Sequence, residues 1–487
     1  MTPANMQPST RLRRRGIALV SVLFLFTAVA AAAAMRGRDV GGGQHGNPSS
    51  AQRLIKGPAA RNVELARNHV DARRKRAKVA IATNGNDATC RRGRLSSPCA
   101  TFNRAYALAR CGDVVEVRAG SYGDQDIADT GRDCADKARV VIRAERRARP
   151  VVRKIQLGRN GGDCCFSSDG PDDLTLSGFK LTWGFMVYSD AKNIVAERMD
   201  GGSFLVAGDS RDRSRAPDGI TIRNSDWGPC TPSGSYKGRF SDCTTVFEQH
   251  DPGHNGEGQN QIAQGARNVL VEHNTVHDFV IDRPGAHWEC FWINGGHNVT
   301  FRANKVWNCE TTVWSVGEHS GQLLTGTWYF ENNWVGRSVN DGTSLNFTQY
   351  PYNGTVVVRF NSFGPLQSSG GEEAQWVDNG TIKYVGNIFG RWDEVCVPGA
   401  VYAYNLFVDT YGGPNNRLCG GVGNRRMTNF PYVNRDRFGA MDYHLAGRSP
   451  ADRYVPATVP YSRLATDFDG RRRRVPRSAG SDERSHR

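Results

Sequence analysis

One asparagine, repeated, restricts what this chain can fold into more than any other feature. Asn274, Asn304, Asn333, Asn361, Asn387 and Asn405 each stand two residues before an apolar one: Val276, Val306, Val335, Phe363, Phe389 and Phe407. Three residues before each asparagine lie Val271, Phe301, Phe330, Val358, Tyr384 and Tyr402, and five before lie Val269, Val299, Trp328, Val356, Ile382 and Ala400. Alternation of period two, a turn and a second strand, recurring every 18 to 30 residues or so, is the pattern of a solenoid whose coils bury one apolar face between them. One coil per repeat is expected, with the asparagine itself in a left-handed turn and its side chain bonded across coils. Looser coils fit residues 174–185, 193–205 and 220–226.

Glu272, Arg302, Glu331 and Arg359 stand two residues before the first four asparagines. Coils stack at about 4.8 Å, so these side chains should form an outward ladder of alternating charge. On an exposed face each pair would contribute at most about 1 kcal/mol.

The formal charge of +15 suggests a nucleic-acid binder until it is divided along the chain. Residues 1–80 hold 15 basic and 3 acidic side chains, and residues 469–487 hold 7 and 3, which leaves the body between them about neutral. Basic arms on a neutral body fit contact with an anionic envelope, whereas specific DNA reading needs a basic face on the body. Arg11, Arg13, Arg14 and Arg15 precede an apolar run over 16–34, so residues 1–35 read as an export signal or an uncleaved signal anchor. Residues 36–78 read as a basic disordered linker, 79–468 as the folded domain and 469–487 as a basic disordered tail.

Twelve cysteines in an exported chain favour disulfides. Proximity suggests Cys90 with Cys99, Cys111 with Cys134, Cys230 with Cys243, Cys290 with Cys309 and Cys396 with Cys419, with Cys164 and Cys165 left over.

Two end motifs add a resemblance. Near the start, Thr101 precedes Ala105, Leu108 and Ala109 at helical spacing, and GDVVEVRAGSY follows at 112–122. Near the end stand MDYHLAGRSPADR (441–453) and TDFDGRRRR (466–474). Together with the central coils these segments resemble exported bacterial right-handed parallel β-helix repeat proteins of the pectate-lyase-like superfamily. The resemblance implies an all-β, single-stranded right-handed parallel β-helix closed at its start by a short helix. It does not select an activity, because this architecture hosts lyases, hydrolases and non-catalytic surface proteins.

The stretch 285–309, GAHWECFWINGGHNVTFRANKVWNC, divides in two. HNVTFRANKVWNC is an ordinary coil, and packing does not explain HWECFWING. His287, Glu289, Glu310 and Glu318 are the candidate acids and bases for glycoside hydrolysis, and Lys305 a candidate base for elimination. Trp288, Trp292, Trp314, Tyr350 and Trp376 are candidate flat faces for sugar rings. Glu248 and Asp251 are candidate ligands for Ca²⁺, the cofactor a lyase of this kind implies. Each has a plainer reading: Glu289 and His287 at a turn, Glu248 and Asp251 in a solvated loop, and Trp292 and Trp314 in the core if the register slips by one residue. No P-loop, nucleophile elbow or H-E-x-x-H is present. The expectation is a secreted or cell-surface monomer that acts on an acidic or wall-associated polysaccharide as a lyase or glycoside hydrolase. The alternative is a non-catalytic glycan-binding or structural protein on the same fold.

Overall fold

The computed structural model describes residues 75–134, 139–159, 169–208, 213–229, 260–263, 265–280, 289–310, 312–316, 324–338, 345–347, 352–364, 381–390, 399–408, 418–436 and 439–483. Within them the repeat forms three parallel sheets, one of twelve strands and two of eight. A central rung enters the first sheet at Arg267–Glu272, the second at Thr275–Phe279 and the third at Phe291–Asn294, then returns to the first at Gly296–Arg302. Successive rungs pair in parallel, so Val269 lies beside Val299 and Val356 beside Ile382. The chain is therefore a parallel β-helix. Its inward side chains, among them Val271, Phe301, Phe330 and Val358, make one continuous interior, which no single rung could bury alone.

At the start, Thr101 accepts a hydrogen bond from the Arg104 N–H and opens the helix Phe102–Leu108. Phe102, Ala105 and Tyr106 of that helix are fully buried in the same interior.

The asparagine column is a closed hydrogen-bond ladder. The Nδ2 of Asn304 donates to Oδ1 of Asn333 at 3.1 Å and to the Val271 carbonyl at 2.9 Å, and the Asn304 backbone N–H shares the same Oδ1 at 2.9 Å. The arrangement repeats from Asn274 to Asn405, and the ladder runs on to Asn424. The left-handed residue is not the asparagine, as expected from sequence, but the one before it: His273, Ala303, Asn332, Phe360 and Tyr404 all have φ between 52° and 58°. The physical reason is that each asparagine must turn its amide inward to reach its neighbours, which leaves the preceding residue to make the bend.

The charge ladder is longer than the sequence suggested and lies deeper. In register along the outer face of the first sheet stand Glu116, Arg143, Ser177, Glu197, Arg223, Glu272, Arg302, Glu331 and Arg359. Glu331 is fully buried, with Arg302 Nε at 2.6 Å on one side and Arg359 Nε at 2.7 Å on the other. Burial pushes the Glu331 carboxyl up, but Arg359 and Arg302 outweigh it and hold it below its ordinary range. The expectation of weak surface pairs is thus corrected, because Arg359 also donates to the Tyr461 carbonyl at 2.8 Å in a C-terminal segment that covers this stretch.

That segment corrects a second expectation. Residues 469–483, read as part of a disordered tail, pack against the rungs. Arg473 is almost fully buried and donates to Asn332 Oδ1 at 2.6 Å and to the Gly480 carbonyl at 2.9 Å. Ser481 N–H bonds Ser362 Oγ at 3.0 Å. Further apolar contacts, from Tyr443, Leu445, Val455 and Leu464, cover the outward side chains Trp334, Ile388 and Leu406 of the second sheet.

Three expected disulfides are present: Cys90–Cys99, Cys111–Cys134 and Cys290–Cys309. Cys419 is also disulfide-bonded, while its expected partner Cys396, the pair Cys230 and Cys243, and Cys164 and Cys165 lie outside the described residues. The export segment 1–35 and residues 36–74 also lie outside them. No helix among the described residues is long and apolar enough to cross a membrane.

Candidate functional site

The non-repetitive stretch is fixed by one covalent link between rungs. Cys309 ends the second-sheet strand Lys305–Cys309 and sits beside Phe279 of the rung before. Cys290, just ahead of the third-sheet strand Phe291–Asn294 of that earlier rung, bonds to it with the Cα atoms 5.3 Å apart. Glu289 precedes one cysteine and Glu310 follows the other. Their Cα atoms can therefore be no further apart than about 13 Å, one peptide step beyond the bridge at each end. Both glutamates are buried, at 4 % exposure each. The bridge thus keeps the backbones of two buried glutamates on adjacent rungs close together, and two carboxyls set out of bulk water are the residue types an acid–base couple needs.

The third-sheet strands fix which tryptophan faces which way. Phe291 pairs with Trp314 and Trp292 with Ser315. Phe291 and Trp314 stack in the interior, with ring centroids 5.6 Å apart and planes 6° apart, and Trp314 also packs edge-on against Phe301 and Phe330. Trp314 is thus corrected from a sugar-binding surface to a core residue. The reason is a one-residue offset between the two rungs, which sends side chains of like type to opposite faces. Trp292 alternates with the interior residues Phe291 and Ile293 and so lies on the outer side of the sheet, although covered to 5 % exposure.

Lys305 is not brought to the glutamates. It stands at the far end of its strand from Glu310, about 16 Å away along the extended chain. Its Nζ donates to the Gly439 carbonyl at 2.8 Å and lies 5.4 Å from the Trp307 ring and 5.8 Å from the Trp334 ring. Burial pulls its pKa down, partly opposed by Asp442 and Asp436. Lys305 therefore lies on the outer face of the second sheet and not with the two glutamates. His287, Trp288, Glu318, Tyr350, Trp376, Glu248 and Asp251 lie outside the described residues.

The second-sheet face also carries a group that no sequence motif marks. His277 lies flat on Trp307, with centroids 4.7 Å and planes 5° apart, and its Nε2 and Nδ1 meet Asp226 at 3.1 Å and Asp278 at 2.7 Å. Burial pulls its pKa down, but the two carboxylates more than offset this and raise it. The signal was in the repeat: His277 and Trp307 each stand three residues after a ladder asparagine, so they had to be neighbours.

No protein-family profile matches the chain, and no curated protein matches it. Among solved structures it is similar to pectate lyase Pel9A, at 12 % identity and a TM-score of 0.47 over 84 % of this chain and 97 % of that one. A GH87 alpha-1,3-glucanase from Streptomyces thermodiastaticus is similar at 13 % identity and a TM-score of 0.34, over 66 % and 65 % of the two chains. A PL6 family alginate lyase is similar at 9 % and 0.32, over 72 % and 53 %. The strand pairing within the chain itself establishes its architecture, the parallel β-helix that the sequence resemblance implied.

Proposed function

We propose that the chain is an exported carbohydrate-active β-helix protein that acts on an acidic or wall-associated polysaccharide, with Glu289 and Glu310 as its acid–base pair. The supporting observation is the confinement of two buried glutamates on adjacent rungs by the Cys290–Cys309 bridge. In hydrolysis one carboxyl protonates the glycosidic oxygen and the other activates water or attacks the sugar. Separations of about 5–5.5 Å give retention and about 6.5–9.5 Å inversion, and both lie within reach of the confined backbone positions. His287 and Glu318 are assigned to the same cluster and Trp288, Trp292, Tyr350 and Trp376 to sugar contact. Elimination from a uronate would use a base of this cluster, with Ca²⁺ assigned to Glu248 and Asp251. The disulfides suit an oxidising, extracellular setting, and the basic segment ahead of the body suits contact with the envelope.

The second reading, a glycan-binding protein without turnover, draws on the same burial, since a covered glutamate can equally serve to bond a turn. A panel of uronate and neutral polymers separates the two, with unsaturated ends followed in the ultraviolet and reducing ends by colour, each with and without chelator. The proposal expects one polymer to yield product. Glycan binding with no product from any polymer would leave the second reading standing.

A further inference from the structure

The C-terminal lobe holds a polar cluster that packing does not explain. His444 lies on the strand Asp442–Leu445, Asp469 in the turn before Gly470, and Asp482 near the end of the described chain. One ligand atom of each lies within 4.8 Å of the other two. Asp482 is only 3 % exposed. Its Oδ2 accepts the Leu445 N–H at 3.0 Å, but its Oδ1 is buried with no hydrogen-bond partner among the described residues. A buried carboxylate oxygen left unpaired in this way calls for an ion or a proton.

We propose that His444, Asp469 and Asp482 bind one divalent transition-metal cation of the Zn²⁺ class. One imidazole nitrogen and two carboxylates form a mixed donor set that such ions accept, whereas Ca²⁺ takes oxygen alone. The imidazole is already oriented for the task. Its Nδ1 is bonded to Asp442, which leaves Nε2, now 2.9 Å from Asp469 Oδ2, as the ligating atom. A carboxylate behind a metal-bound histidine commonly fixes both tautomer and ring angle. Arg471 holds the same Asp469 oxygen at 2.9 Å and orients that carboxylate from outside. The three ligands come from three separate segments of the lobe. His444 also packs edge-on against Trp334 of the second sheet, centroid to centroid 4.8 Å. The ion would therefore pin the lobe over the sheet, whether or not the protein turns over a glycan.

The test is calorimetric titration of the untagged full chain, stripped with chelator, against Zn²⁺ alone. One equivalent should bind, and the melting temperature should rise with metal and fall back with chelator. Asp482→Asn should abolish binding, and Asp469→Asn should weaken it at least about tenfold. Asp442→Asn, which removes no ligand, should weaken it about 10- to 100-fold. Asp469 is 26 % exposed at its side chain, so its variant keeps the test decisive if Asp482→Asn fails to fold. No saturable binding up to roughly 1 mM Zn²⁺, or binding that all three substitutions leave unchanged, overturns the proposal.

Discussion

Two polar columns run along the axis of this helix, and they are stabilised in opposite ways. The asparagine column is complete in itself: each carboxamide bonds the rung before and the rung after, and every member from Asn274 to Asn405 is buried. The Glu/Arg column depends on what covers it. Near the start Glu116 meets Arg143 at 2.7 Å with 25 % and 14 % of their side chains exposed, whereas Glu331 is wholly enclosed between two arginines. Neutral amides stacked in register satisfy one another wherever they sit, but a charge changes its value with the dielectric around it.

The largest effect should come from the neutral column. Asn333→Ala leaves the Asn304 amide without its acceptor and the Phe301 carbonyl without its donor. At about 1–3 kcal/mol for each of three unsatisfied groups, the Asn304 backbone N–H, its Nδ2 and the Phe301 carbonyl, this sums to roughly 3–9 kcal/mol, measurable by urea unfolding. If it costs less than about 1 kcal/mol, the column is not the closed ladder described. Glu331→Gln should follow at about 3–5 kcal/mol, because Arg359 is left buried without its counter-charge and Arg302 keeps only Glu272 at 3.8 Å.

Acid sharpens the contrast. The Glu331 carboxyl is held below its unfolded value, so its contribution is present above the unfolded pKa of about 4.3 and fades as pH falls through the lower folded one. The Glu331→Gln penalty should therefore shrink in acid, while the Asn333→Ala penalty stays level from neutral pH downward. Equal pH dependence of the two would mean that the arginines do not act on Glu331. The smallest effect belongs to Glu116→Gln at the exposed end, under about 1 kcal/mol. A cost near that of Glu331→Gln would show that burial does not separate the two ends of the ladder.

The sequence disclosed what lies close along the chain. The coil spacing, the helix opened by Thr101, both columns and three disulfides follow from residues near one another or in fixed repeat. What it hid are contacts between distant segments. Arg473 reaches Asn332 across 141 positions, and no local pattern shows that an arginine-rich tail will pack back onto the rungs. Trp314 misled for a related reason. Two tryptophans of adjacent rungs invite alignment with each other, whereas the strand pairing sets Trp314 beside Phe291. At the candidate site the placement of Glu289 and Glu310 on adjacent rungs was legible, because Cys290 and Cys309 mark the point where one rung is fastened to the next.

The most direct measurement is made on Glu289→Gln, an isosteric change at a buried carboxylate, with turnover on the responsive polymer and unfolding free energy taken from the same preparation. If Glu289 does chemistry, turnover is lost while stability stays within about 1 kcal/mol of the parent, in contrast to a Cys290→Ala variant that loses roughly 2–5 kcal/mol with its bridge. If Glu289→Gln unfolds as readily as Cys290→Ala, the glutamate is holding the turn, and the acid–base assignment is wrong.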